Sequence, residues 1–156
     1  MSLEIEKYLA LLEQRLSLLR GLAQQFVCCR KEFVAMDLDG IYGRIAEQED
    51  LCRQIQSLHP AIDSLQRTCA QQLDLARLNA PRQPEEAAWA GRLRTVMRDL
   101  GRAQAEVSRL NQIHAAYLRR SRRTINMLMN FFASYALTYP PPVESTLQAP
   151  GATERG

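Results

Sequence analysis

Aromatic side chains make up only 6% of this 156-residue chain, and beyond the first six residues there is no sustained period-two alternation of apolar and polar residues such as a half-buried strand requires. A β core is therefore not expected. No run of eighteen apolar residues occurs, so no membrane insertion is expected. The N-terminus lacks the basic-then-apolar order of a signal peptide, and a cytoplasmic location follows as the expectation. The four cysteines, Cys28, Cys29, Cys52 and Cys69, show no C-x-x-C spacing and no nearby pair of histidines, so no metal site is expected. Cys52 and Cys69 fall on apolar stripes and read as small buried hydrophobes. Cys28 and Cys29 are neighbours and cannot both face one seam, so one of them is expected to be partly exposed. There is no glycine-rich phosphate loop and no dinucleotide fingerprint, and no cofactor is expected.

What is present is helical spacing. Trp89, Leu93, Val96, Leu100, Ala103, Val107, Leu110, His114, Tyr117, Ser121, Ile125, Leu128, Phe132 and Tyr135 recur at intervals of three and four, which places them on one face of a helix. No proline follows Pro84 until after Ala136, and Gly91 and Gly101 each cost only about 1 kcal/mol against Ala. The spacing predicts one helix over 85–136, roughly 78 Å long. A rod of this kind cannot bury its stripe alone, so residues 2–78 are expected to lie along it as two or three helical pieces.

The first of these carries Ile5, Leu9, Leu12, Leu16, Leu19, Ala23, Phe26, Arg30 and Phe33. A second series, Val34, Leu38, Ile41, Ile45, Gln48, Cys52 and Ile55, is slipped by one residue. Gly40 and Gly43, beside Asp37 and Asp39, mark a kink or a tight turn over Asp37–Gly43. His59-Pro60 offers another break, because proline disfavours the α conformation in the residue before it and suits the first turn of a new helix. Pro60 is accordingly expected to open a helix bearing Ile62, Leu65, Cys69, Leu73 and Ala76. Residues 79–84 read as a loop, and Pro84-Glu85-Glu86 as the start of the long helix, with carboxylates at its positive end. The expected fold is all-α: a long antiparallel helical hairpin or three-helix coiled-coil-like bundle over 1–137, then a disordered proline-rich tail over 138–156.

Few residues suggest chemistry. Met36-Asp37-Leu38-Asp39-Gly40 has the D-x-D-G form of a phosphatase nucleophile. That chemistry also needs a later lysine and a late acidic pair; no lysine follows Lys31, and the flanks are helical rather than strand-like. A polar helix break is the simpler reading. His114 lies inside the seam without a carboxylate, Ser or Cys partner at helical spacing, and reads as a core residue; His59 reads as a turn residue. No catalytic residue is assigned, and nothing argues for an enzyme.

Net charge is only +3, but residues 85–137 carry nine basic and four acidic side chains while residues 1–58 carry seven and nine. Arg119, Arg120, Arg122 and Arg123 flank the seam. A solvated face is their plainest role, an acidic protein partner a sharper one; the patch is too short and lacks the aromatic platform for nucleic acid. Beyond it, Ile125, Met127, Leu128, Met129, Phe131, Phe132 and Tyr135 occupy more than one face. The seam needs Ile125, Leu128, Phe132 and Tyr135, which leaves Met127, Met129 and Phe131 for a visiting helix, for neighbouring helices, or for a second copy in a homodimer.

With Leu9-Leu12-Leu16-Leu19, Met36-Asp37-Leu38-Asp39-Gly40-Ile41, Glu47-Gln48-Glu49-Asp50-Leu51 and Leu110-Asn111-Gln112-Ile113-His114-Ala115-Ala116-Tyr117 running into Ile125–Phe132, residues 3–137 resemble the flagellar export chaperones of the FlgN type. The resemblance implies a protein that binds the C-terminal amphipathic helices of hook-filament junction proteins, prevents their premature polymerisation and delivers them to the type III export gate and ATPase complex. A C-terminal tyrosine would touch the gate, with Tyr139 the first candidate and Tyr135 the second. His114, where the family often has Asn, and Tyr139-Pro140-Pro141-Pro142 depart from the family pattern. Alternative roles are a coiled-coil stalk or adaptor of the export ATPase complex and a nucleic-acid-associated helical adaptor.

Overall fold

The computed structural model describes residues 3–77 and 84–138. Its elements are α1 (Leu3–Ala35), α2 (Leu38–Thr68), α3 (Ala70–Arg77) and α4 (Pro84–Thr138), with no strand among the described residues. The fold is all-α. The chain divides into two compact units, Met1–Ala116 and Tyr117–Gly156.

In the first unit, Ile5, Tyr8, Leu9 and Leu12 of α1 meet Ile62 of α2, Leu73 of α3, and Trp89, Ala90 and Val96 of α4, with Cys69 among them. Each large aliphatic buried here stabilises the fold by about 1.5–3 kcal/mol. The direction of the helices is legible in polar pairs. Arg44 of α2 reaches Gln25 and Glu32 of α1 while Leu51, further along α2, lies over the earlier Gly21, so α1 and α2 are antiparallel. Arg92 pairs with Glu13 at 2.9 Å and Glu6 at 3.4 Å, and Arg20 with Asp99 at 3.5 Å, so α4 runs alongside α1 in the same direction. The result is an up-down-up bundle in which α3 continues α2.

The turn between α1 and α2 is tighter than the glycines suggest. Asp37 N donates to Glu32 O and Met36 N to Phe33 O, the paired closure that ends a helix with a left-handed residue. That residue is Met36, at φ 57°. Asp37 then caps α2, its carboxylate accepting from Gly40 N at 3.0 Å. Gly40 and Gly43 lie inside α2 rather than in the turn. A Cβ at Gly40 would sit 2.5 Å from Asp37 Oδ2, so this glycine leaves room for the cap.

Two expectations are corrected. Pro60 does not open a helix; it lies within α2, which continues from Leu38 to Thr68. An interior proline lacks one backbone donor and crowds the carbonyl four residues back, at a cost of about 3 kcal/mol. Here Leu58 and Ile62 on either side pack into the core and hold the helix through it. The real interruption is a single residue, Cys69, across which Cys69 N still reaches Leu65 O and Leu73 N reaches Cys69 O. Cys52, expected to be buried, is exposed. The inward stripe of α2 runs Gln48, Leu51, Ile55, Leu58, Ile62, so Leu51, which lies over Gly21, takes the seam position and leaves Cys52 one residue outside it. Cys29 and Cys69 are buried and Cys28 half-buried.

Two substitutions test this backbone account by urea or thermal unfolding. Met36→Gly relieves the left-handed strain and raises stability by about 0.5–1 kcal/mol. Pro60→Ala restores the missing donor at an exposed position and raises it by about 1–3 kcal/mol. A loss of stability in either variant contradicts the corresponding argument.

Candidate helix-docking surface

The first unit assembles no reactive constellation from the residues that looked suggestive. Asp37 is a helix cap, and His59 pairs with Asp63 at 3.5 Å on the surface. Among the described residues no three His, Cys, Asp or Glu side chains converge as metal ligands. Burial pushes the Cys29 and Cys69 thiols above their ordinary pKa, which favours the unreactive protonated form. A shallow groove of about 520 Å³, bordered by Leu22, Phe26, Gln48, Cys52, Arg53 and His114, joins faces of α1, α2 and α4.

His114 is a half-buried packing residue. Its ring lies 5.4 Å from Phe26 edge-on and 5.6 Å from Phe33. Up to this point the α4 stripe behaves as expected, with Trp89 and Val96 buried and Leu93, Leu100, Ala103, Val107 and Leu110 half-buried. The aromatics of α1 end their service to the stripe here, since Phe33 lies two residues before the close of α1 at Ala35.

In the second unit the same periodicity continues with a different outcome. Ile125, Met127, Leu128, Met129, Phe131 and Phe132 are all exposed, each leaving between 51% and 67% of its surface in solvent. The surplus expected at Met127, Met129 and Phe131 is therefore present. The seam expected at Ile125, Leu128 and Phe132 is a correction: these residues are exposed too. A 3.6-residue period fixes which side chains share a face, but nothing in it supplies a cover. At 100° per residue, Phe131, Leu128, Phe132, Ile125 and Met129 span an arc of roughly 160°, with Met127 just beyond its edge. The rings of Phe131 and Phe132 touch edge to face at 6.0 Å. Leu118, exposed and seven residues before Ile125, extends the same face. Its heptad spacing from Ile125 was the available signal, hidden by the arginines around it.

Arg120 and Arg122 border this arc on opposite sides, while Arg119 and Arg123 share the polar face with Asn126, Asn130 and Ser134. All four guanidiniums are exposed, and none makes an ion pair among the described residues. No Asp or Glu occurs between Glu106 and Glu144, and Arg109 is already tied to Glu106 at 2.7 Å. The polar face of this helix is thus positive, with no compensating carboxylate among the described residues. The Tyr135 side chain and the whole of Tyr139, both candidates for a gate contact, lie outside the described residues, as does the tail over 139–156.

No helix among the described residues is long and apolar enough to cross a membrane. The chain matches no family model, no curated protein and no solved structure.

The packing of His114 has a pH consequence. Burial holds the imidazole below its ordinary pKa, so the unfolded chain takes up a proton at a pH where the folded chain still resists it. The stability that neutral His114 contributes is complete above the unfolded pKa of about 6.5 and is lost as pH falls through that value towards the folded one. Urea unfolding between pH 7.5 and 5.5 should show the unsubstituted chain losing more stability than His114→Phe. Equal losses would contradict the assignment.

Proposed function

We propose that this protein is a cytoplasmic export chaperone of the flagellar type III system. It takes the C-terminal amphipathic helices of hook-filament junction proteins onto the Ile125–Phe132 face of α4, covers the apolar stripe through which they polymerise, and delivers them to the export gate and its ATPase. The observation that supports this most directly is the density of solvent-facing apolar side chains, six within eight residues. A surface of this kind, bordered by charge, is the usual mark of a protein-binding site. Methionine strengthens the case, because its unbranched thioether adapts to differently shaped guests.

The capture step is a coil-to-helix transition. A junction-protein tail that is unfolded alone would gain helical order by burying its apolar face against Leu128, Met129 and Phe132, and burial would offset the ordering entropy. The sequence resemblance to FlgN-type chaperones is what supports this choice of guest, with Tyr139 and Tyr135 the candidates for the gate contact.

Met129 and Phe131 are largely exposed in the free chain, so a carboxylate at either position removes little packing of its own fold, at Phe131 the edge contact with Phe132. Met129→Glu or Phe131→Glu should weaken binding of a junction-protein C-terminal peptide by at least about 100-fold, because a charge would be desolvated in an apolar contact. Far-UV circular dichroism should remain unchanged. Undiminished binding by both variants would remove this face from the mechanism.

A further inference from the structure

We propose that the guest helix lies antiparallel to α4 and brings negative charge at its C-terminal end to Arg119, Arg120, Arg122 and Arg123; this rests on reading α4 as a cargo surface. The charge is the first argument. Four exposed guanidiniums within five residues have no ion pair among the described residues, and no carboxylate occurs between Glu106 and Glu144 to neutralise them. The complement to such a cluster is a set of carboxylates on the guest.

Position is the second argument. Ser121, at the middle of the cluster, precedes Met129, at the middle of the apolar arc, by eight residues, or about 12 Å along the helix. The guest's carboxylates should therefore lie about two turns from the centre of its own apolar stripe. Arg120 and Arg122 border the arc on opposite sides, so a carboxylate on either flank of the guest finds a guanidinium.

Polarity decides the direction. A helix is partially negative at its C-terminus and partially positive at its N-terminus. The last turn of α4 carries no basic residue, so no side chain of that turn compensates its negative end. An antiparallel guest sets its positive N-terminus against that end and its negative C-terminus against the arginines. A parallel guest reverses both contacts, with its positive end on the cluster. Where the guest chain itself ends at this point, its α-carboxylate adds to the match. A second copy of this segment offers no carboxylate in any orientation.

The test is calorimetric titration of the full chain with three synthetic amphipathic peptides sharing one apolar stripe. The first has Asp and Glu in its last turn and a free C-terminus; the second has them in its first turn; the third has Gln throughout and an amidated C-terminus. At 50 mM salt the first should bind about tenfold more tightly than the others, as expected of several weak exposed ion pairs acting together. That advantage should shrink at high salt and vanish in the variant Arg119→Ser, Arg120→Ser, Arg122→Ser, Arg123→Ser, which still binds the neutral peptide. A preference for the second peptide overturns the orientation, and equal binding of all three overturns the charge assignment while leaving capture intact. Binding of none overturns the capture reading and this proposal with it. Co-sedimentation with phosphatidylglycerol vesicles that Met129→Glu abolishes, without binding of any peptide, would make a lipid surface the occupant and likewise overturn the proposal.

Discussion

A single long helix cannot hide its own apolar stripe, and every other part of this structure answers to that constraint. α4 has 55 residues, whereas α1, which runs alongside its first part, has 33. Within the first unit the requirement is met. Leucines of α1 spaced at three and four, Ile62 of α2 and Leu73 of α3 close around Trp89 and Val96, and Phe26 and Phe33 close around His114. The polar pairs at the rim, such as Arg92 with Glu6 and Glu13, are exposed and set register and direction more than they hold the bundle together. In the second unit the stripe continues without an equivalent set of covering side chains among the described residues, and the apolar residues from Ile125 to Phe132 are exposed. Helix propensity and local i,i+4 contacts, such as Thr124 Oγ1 to Arg120 O and Ser134 Oγ to Asn130 O, support the helix in that segment.

That arrangement separates stability from recognition. The leucine and tryptophan core lies in residues outside the exposed apolar face, so that face can vary in composition without unfolding the bundle. An unpacked apolar face conflicts locally with what a stable fold requires, and such conflicts tend to coincide with functional sites. Two methionines and two phenylalanines on this face give adaptable side chains beside large rigid ones, a combination suited to gripping one helix among several similar sequences.

Much of this was legible in the sequence, for identifiable reasons. The run of three- and four-residue spacings from Trp89 onward gave the extent of α4 to within a few residues, and Pro84 marked its start. The crowding of Ile125, Met127, Leu128, Met129, Phe131 and Phe132 marked the exposed apolar face, because more apolar residues occur there than one seam can use. Other features were hidden where tertiary packing overrides local preference. Pro60 carries a strong breaking signal, yet Leu58 and Ile62 anchor the helix on both sides of it. The α1–α2 turn uses Met36 in a left-handed conformation normally given to glycine, so Gly40 and Gly43 pointed a few residues too far along. A one-residue register difference on α2 exchanged Cys52 for Leu51. Periodicity also assigned Ile125, Leu128 and Phe132 to a buried seam, since spacing defines a face and says nothing about what lies against it.

The arginines then resolve a problem that the exposed face creates. A wide apolar arc on a regular helix is complementary to almost any amphipathic helix, and the most abundant one nearby is the same segment of another copy. Two copies pairing antiparallel through this face would offer the arginines no carboxylate, and pairing parallel would bring together four arginines from each. That repulsion is screened only over distances beyond about 8–10 Å at physiological salt, so it acts at the range of helix contact. A guest that carries carboxylates converts the same repulsion into attraction, as flanking charges do when they set partner choice in coiled coils. Under the proposed function, one-sided charge would thus disfavour parallel self-pairing of an adhesive surface and favour an acidic guest.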